Sequence, residues 1–192
     1  MTPNTAPHAN PATQTKLDAA NHLAGLTAAD HSMGPDDARI TLLEYGDFEC
    51  PACAATAPAV RQLVERLGPK IRFVFRHLPL LEVHPHAELA AEAAEAAAAQ
   101  GKFWEMHDRL FATPNRLKLP DLIQHAQTMD LDMNRFHAEL TDHIYTQRVQ
   151  EHRRAAALSN VHTTPTFVLN GKRVDISGGF GALEAAVHAA SR

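Results

Sequence analysis

The chain has 192 residues, 45% of them hydrophobic, which suits one domain or one domain carrying a sizeable insertion. With 22 acidic against 18 basic residues and a formal net charge of −4, it lacks the basic surface of a nucleic-acid binder. Its two cysteines cannot staple a fold, and no apolar run reaches the ~18 residues of a membrane helix, so a hydrophobic core must hold it together.

Residues 1–22 are rich in Thr, Pro, Asn and Ala and read as a disordered tail. They lack the basic-then-apolar order of a signal peptide, so the expected location is cytoplasmic, or periplasmic if a presequence has been removed. Residues 23–37 form a lead-in with the breaker pair Gly34-Pro35. Ile40 to Tyr45 reads as a strand with apolar residues on both faces, as in the buried middle of a sheet. Glu44 shares a face with Ile40 and Leu42. It is either a strand-end carboxylate at the solvent or a half-buried acid–base group with a raised pKa. A helix is predicted from Pro51, with Val60, Leu63, Val64 and Leu67 at helical spacing, Pro58 as an expected kink and Gly68-Pro69 as the stop. Ile71 to His77 alternates as a second strand, which makes a parallel βαβ unit.

Residues 84–158 carry five helical patterns. Glu88 to Gln100 is nearly all Ala and Glu and reads as a solvated face of strong helix formers. Phe103, His107, Leu110 and Phe111 form an apolar stripe; Pro120 opens a third helix, Asp132 caps a fourth, and a fifth spans about Asp142 to Ala157. Five helices cannot serve as one crossover, so they are expected to form a helical insertion in the sheet. Thr166 to Leu169 and Lys172 to Ile176 flank Asn170-Gly171, a strong hairpin signal, and a last helix covers about Phe180 to Ala190. The predicted division is therefore a tail (1–22), an α/β unit (23–83 with 159–192) and an all-helical subdomain (84–158).

Both cysteines, Cys50 and Cys53, lie three apart where the first strand hands over to the helix. At the helix N-cap, unpaired backbone N–H groups and the dipole favour a thiolate at Cys50. Cys53, one turn in, is expected to be covered, giving an attacking and a resolving sulfur. Two blander readings stand beside this one. The pair could be half of a zinc site, for which no second Cys pair exists and His84 and His86 would have to serve from afar, or it could be inert and buried. Pro165 in Thr164-Pro165-Thr166 is either an ordinary trans loop proline or a cis proline facing the cysteines. His77, His84, His86 and His162 read as surface or capping groups, and no cofactor motif is present.

Together these stretches resemble the DsbA-like branch of the thioredoxin superfamily. The matching pieces are Glu44-Tyr45-Gly46-Asp47-Phe48-Glu49-Cys50-Pro51-Ala52-Cys53, Phe75-Arg76-His77-Leu78-Pro79-Leu80, His84-Pro85-His86-Ala87, Gly101-Lys102-Phe103-Trp104-Glu105-Met106-His107 and Thr164-Pro165-Thr166-Phe167. They are particularly similar to DsbA-like domains fused to bacterial sodium/proton antiporters, over about residues 30–190. The resemblance implies a thioredoxin-like fold, a central mixed sheet flanked by helices with an inserted all-helical subdomain. It implies Cys50 as nucleophile, Cys53 as resolving thiol and Glu44 as the carboxylate that handles the second thiol's proton. It also implies a cis Pro165 beside the cysteines, with Thr164 offering backbone to a substrate peptide. The active-site dipeptide is Pro51-Ala52, without the His of strongly oxidising members, so a less oxidising potential is expected. The expected activity is protein-disulfide oxidoreduction of unstated direction, without cofactor or metal. Its partners would be protein or small-molecule thiols and disulfides, with glutathione or a redox protein as co-reactant. The alternative is a non-catalytic redox-sensing or partner-binding domain.

Overall fold

The computed structural model describes residues 25–27 and 29–192, so the predicted tail lies outside the described residues. The elements in order are β1 (His31–Met33), β2 (Ile40–Gly46), α1 (Pro51–Leu67), a 3-10 turn (Gly68–Lys70) and β3 (Ile71–His77). Five helices follow: α2 (Ala87–Ala98), α3 (Phe103–Ala112), α4 (Leu119–Gln127), α5 (Met133–Thr141) and α6 (Thr146–Leu158). The chain closes with β4 (Thr166–Leu169), β5 (Lys172–Val174) and α7 (Phe180–Ala190). The strands make one mixed sheet in the order β1-β3-β2-β4-β5, in which only β2 and β3 run parallel.

The centre of the sheet follows from residue type. β2 and β3 are almost wholly buried, and their apolar side chains supply both faces. Ile40, Leu42 and Phe73 pack with Val60, Leu63 and Val64 of α1 and Leu183 and Val187 of α7. Leu43, Tyr45 and Val74 pack on the other face with Ala156 of α6. α1 starts where expected, because Pro51 needs no N–H partner in the first turn, and it stops at Gly68, whose φ of 52° suits the left-handed region. The Asn170-Gly171 turn has positive φ at both residues (46° and 78°), as a tight two-residue hairpin requires.

Three readings need correction. A further strand, β1, lies in the lead-in and pairs antiparallel with β3 from His31↔Phe75 to Met33↔Phe73. Its three residues carry no periodicity, and the partner strand recruits them. α2 is a buried helix rather than a solvated face: its alanines let neighbouring helices approach closely, and Glu92 and Glu95 lie inside with histidine partners. His77 is fully buried, its Nε2 on Glu95 Oε1 at 2.9 Å. The buried Arg76 holds the N-terminal segment to the sheet, donating to Asp30 at 2.7 and 2.8 Å, to Tyr45 Oη at 3.2 Å and to Gly25 O at 2.7 Å. No helix among the described residues is long and apolar enough to cross a membrane.

Candidate active site

The fold brings together four of the regions singled out from the sequence. Cys50 is the N-cap of α1, with extended φ/ψ of −73° and 120°, and its N–H donates to Asp47 O at 3.1 Å. Cys53 lies one turn in. Both are free thiols; Cys50 keeps 6% of its surface exposed and Cys53 none. They sit in the apolar cluster that Phe48 and Phe75 share with α2, α3, α4 and α5, so the thiols lie at the seam between sheet and helical insertion. The loop before β4 arrives from the other side. Its Thr164–Pro165 bond is cis, and the Cys50 thiol donates to Thr164 O at 3.4 Å. Thr166 Oγ1 ties that loop down by donating to Thr163 O at 2.7 Å. Ala52 and Pro51 complete the first turn of α1, both exposed.

The electrostatics of the two sulfurs diverge. A hydrogen bond from the Cys53 thiol, first of all, pulls Cys50 down from an ordinary 9.0 to about 5 against the cost of burial. The Thr164 hydroxyl and the N–H groups of Cys53 and Ala52 add to this. That hydroxyl is buried with no hydrogen-bond partner among the described residues, which leaves it free to support a Cys50 thiolate. Burial pushes the Cys53 thiol far up; its hydrogen bond to Cys50 and the nearby charges of Glu44 and Cys50 push the same way. Glu44 is 2% exposed, and its Oε1 has no hydrogen-bond partner among the described residues. Burial, and then the Cys50 charge, raise it from 4.5 to about 8. Alkylation by iodoacetamide should therefore rise with a midpoint near pH 5 and stop at one adduct, on Cys50. A midpoint near 9.0 or labelling of Cys53 would contradict this geometry.

The sequence reading missed a brace beside the cysteines. Asp47 Oδ2 accepts from Leu80 N at 2.9 Å and pairs with His84 Nδ1 at 2.7 Å. Glu49 accepts from His86 N at 2.6 Å and pairs with His86 Nδ1 at 2.8 Å. These bonds clasp the loop after β3 to the loop that carries Cys50, so His84 and His86 are bracing groups, and His86 also stands at the N-cap of α2, one of the two roles expected of it. His162 is exposed. A metal candidate exists away from the cysteines: ligand atoms of His31, His77 and Glu95 lie within 4.8 Å of one another. Each imidazole is already matched to the carboxylate at 2.9 Å, and His77 Nδ1 has no partner among the described residues to orient the ring as a ligand. The set therefore reads as a buried hydrogen-bonded network, with burial holding His77 below its ordinary pKa.

Comparison with known proteins follows the same lines. A family model described as Thioredoxin matches residues 26–189. The Na(+)/H(+) antiporter NhaA 1 of Salinispora arenicola is 50% identical over 161 residues, 84% of this chain and 24% of the antiporter. The chain thus spans about a quarter of the length of the curated relatives it matches. A solved thioredoxin-like oxidoreductase from Silicibacter pomeroyi superposes with a TM-score of 0.75 at 25% identity, covering 88% of this chain and 96% of that one. Pseudomonas aeruginosa DsbA2 superposes with a TM-score of 0.65 at 27% identity, covering 85% and 94%.

Proposed function

We infer what the chain does from its membership: it belongs to the thioredoxin family, in the DsbA-like branch, whose fold supports thiol–disulfide exchange in general. We propose that it catalyses this exchange through Cys50 as nucleophile and Cys53 as resolving thiol. The observation that carries the reading is the split between the sulfurs, one at a helix N-terminus and held near 5, the other covered and held high. The Cys50 thiolate attacks a disulfide sulfur of the client, a mixed disulfide forms, and one client sulfur leaves as a thiolate. Cys53 then attacks Cys50 Sγ, the Cys50–client bond breaks, and the Cys50–Cys53 bond forms. Run backwards, the same steps oxidise a dithiol client.

Glu44 takes the Cys53 proton in this scheme. The Cys50 charge is one cause of its raised pKa, so that contribution vanishes once Cys50 is in a mixed disulfide. The carboxyl then ionises more readily at the step where Cys53 must lose its proton. Thr164 and Pro165 bound the site where an extended client would lie, and Pro51 and Ala52 set the exposed face of the pair. We keep 23–83 with 159–192 as the thioredoxin-like unit and 84–158 as the insertion. A cytoplasmic location would bias the pair toward reducing clients.

Catalysed reduction of insulin by a small thiol tests the reading, and the equilibrium with glutathione gives the direction. A Cys50–Cys53 potential near ~−270 mV marks a reductant and one near ~−120 mV an oxidant. A pair that oxidises and reduces reversibly but turns over no client would instead make the chain a redox-sensing domain.

A further inference from the structure

Behind Glu44 lies a cavity of about 10 Å³, close to the smallest space that holds one water. Its walls include Glu44 from β2, Arg61 from α1, and His107 and Asp108 from α3. Two of the wall residues each carry a buried polar atom with no hydrogen-bond partner among the described residues: Glu44 Oε1 and His107 Nε2. An orphaned buried polar atom is costly, so two on residues that wall one small space ask for a shared reason. The other side of the His107 ring supplies one. Nδ1 lies 2.9 Å from Asp108 Oδ1. A carboxylate only accepts, so Nδ1 carries the proton and Nε2 is a free acceptor. Asp108 reaches the surface, 45% exposed, and its Oδ2 pairs with Arg61 at 3.3 Å.

We propose that His107 and Asp108 form a proton relay between Glu44 and solvent. During resolution the proton that leaves Cys53 passes by Glu44 and the cavity to His107 Nε2, and by Asp108 to bulk water. This rests on the reading of Cys53 as the resolving thiol. In that step the client–Cys50 bond breaks and the Cys50–Cys53 bond forms; the cysteines are oxidised and the client sulfur leaves as a thiolate. The proton goes first to the Glu44 carboxylate and then to His107. The imidazolium so formed gives up its Nδ1 proton to Asp108, and from there to water; when the Cys50–Cys53 bond is next reduced, Cys53 takes its proton back along the same path and Nδ1–H is restored. The charged and titratable groups around His107 are Asp108 on its own helix, Arg61 on α1, Glu44 on β2 and His77 on β3. Aromatic rings of Phe48, Phe75, Trp104 and Phe111 also pack around it, with Met33, Ala57 and Val60 on the cavity walls. Burial lowers its pKa and keeps the ring neutral between turnovers.

Rapid quench with oxidised glutathione, read by mass spectrometry, separates the formation of the Cys50 adduct from its decay. Asp108→Asn can still accept from Nδ1 through its amide oxygen, but an amide cannot take up the proton and pass it on. It should slow adduct decay about 10-fold near neutral pH, short of the ~100-fold that marks loss of a whole general base. Adduct formation should be unchanged, and the gap should close in strong alkali. On a Glu44→Gln background Asp108→Asn should add no further loss. His107→Gln should behave alike; if that buried change fails to fold, exposed Asp108 still decides. Decay at the parental rate across the pH range, losses in both phases, or full additivity with Glu44→Gln would overturn the relay and leave the oxidoreductase reading standing. A parent protein that forms no glutathione adduct would overturn both.

Discussion

Cys53→Ser is expected to accumulate a covalent adduct with oxidised glutathione or an unfolded disulfide protein, and Cys50→Ser to form none. Turnover falls to background in both variants, but at different steps. Cys50 keeps its place at the N-cap of α1, where N–H groups and the Thr164 hydroxyl stabilise its charge. Cys53→Ser leaves most of that support in place but deletes the largest single contribution, the hydrogen bond from the Cys53 thiol. A serine hydroxyl donates in its stead, so attack survives while resolution does not. A thiol reductant should release the trapped client, since an ordinary disulfide holds it. Mass spectrometry of the two variants decides. An adduct on Cys53 of Cys50→Ser, with none on Cys53→Ser, would reverse the roles, and reaction at neither would remove the site.

Glu44→Gln is expected to make the protein more stable near neutral pH and worse at its task. The folded pKa of Glu44, about 8, lies above its ordinary 4.5. The group's contribution is therefore fully present below 4.5 and is lost as pH rises through about 8. At pH 7 the folded chain must keep a proton that the unfolded chain sheds. At 1.36 kcal/mol per pH unit this costs up to about 3 kcal/mol. Glutamine carries no such penalty, although its extra N–H needs a partner and takes back part of the gain. Urea midpoints of parent and variant should lie close at pH 4.5 and separate steadily toward pH 8. A gap that does not change with pH would remove the buried-acid assignment. The same variant should slow resolution about 100-fold near neutral pH, the lower end for loss of a general base, with the first attack intact.

The pair Cys50 and Cys53, the strands on either side and the hairpin were legible because each rests on local spacing. Period-two alternation, a Gly-Pro stop and Asn-Gly need no knowledge of the distant chain. What was missed depends on partners far away in sequence. Glu95 meets His77, 18 residues off, and His31, 64 residues off; Glu92 meets His143 across 51. Without those partners a run of Ala and Glu looks like a solvated helix, and His77 like a surface group. β1 was invisible because Phe73 to Phe75 of β3 define it and its own three residues do not. Glu44 had two readings because strand alternation gives the face but not whether something covers its end. His107 was legible as part of an apolar stripe, while the cavity it shares with Glu44 needed the packing of α3 against α1 and β2.

The sheet is bounded by three-residue strands on both sides, β1 at one rim and β5 at the other, and β5 presents Lys172 and Arg173 to water. A rim that short and charged is a poor template for another chain's backbone. Under the proposed function, an unfolded client tethered to Cys50 is the sort of chain that would exploit a longer one, adding a strand and seeding aggregation. Here it would find few backbone groups to pair with beyond those at Thr164. Its hold would then depend chiefly on the sulfur–sulfur bond, so that closing the Cys50–Cys53 disulfide both ends the reaction and lets the client go.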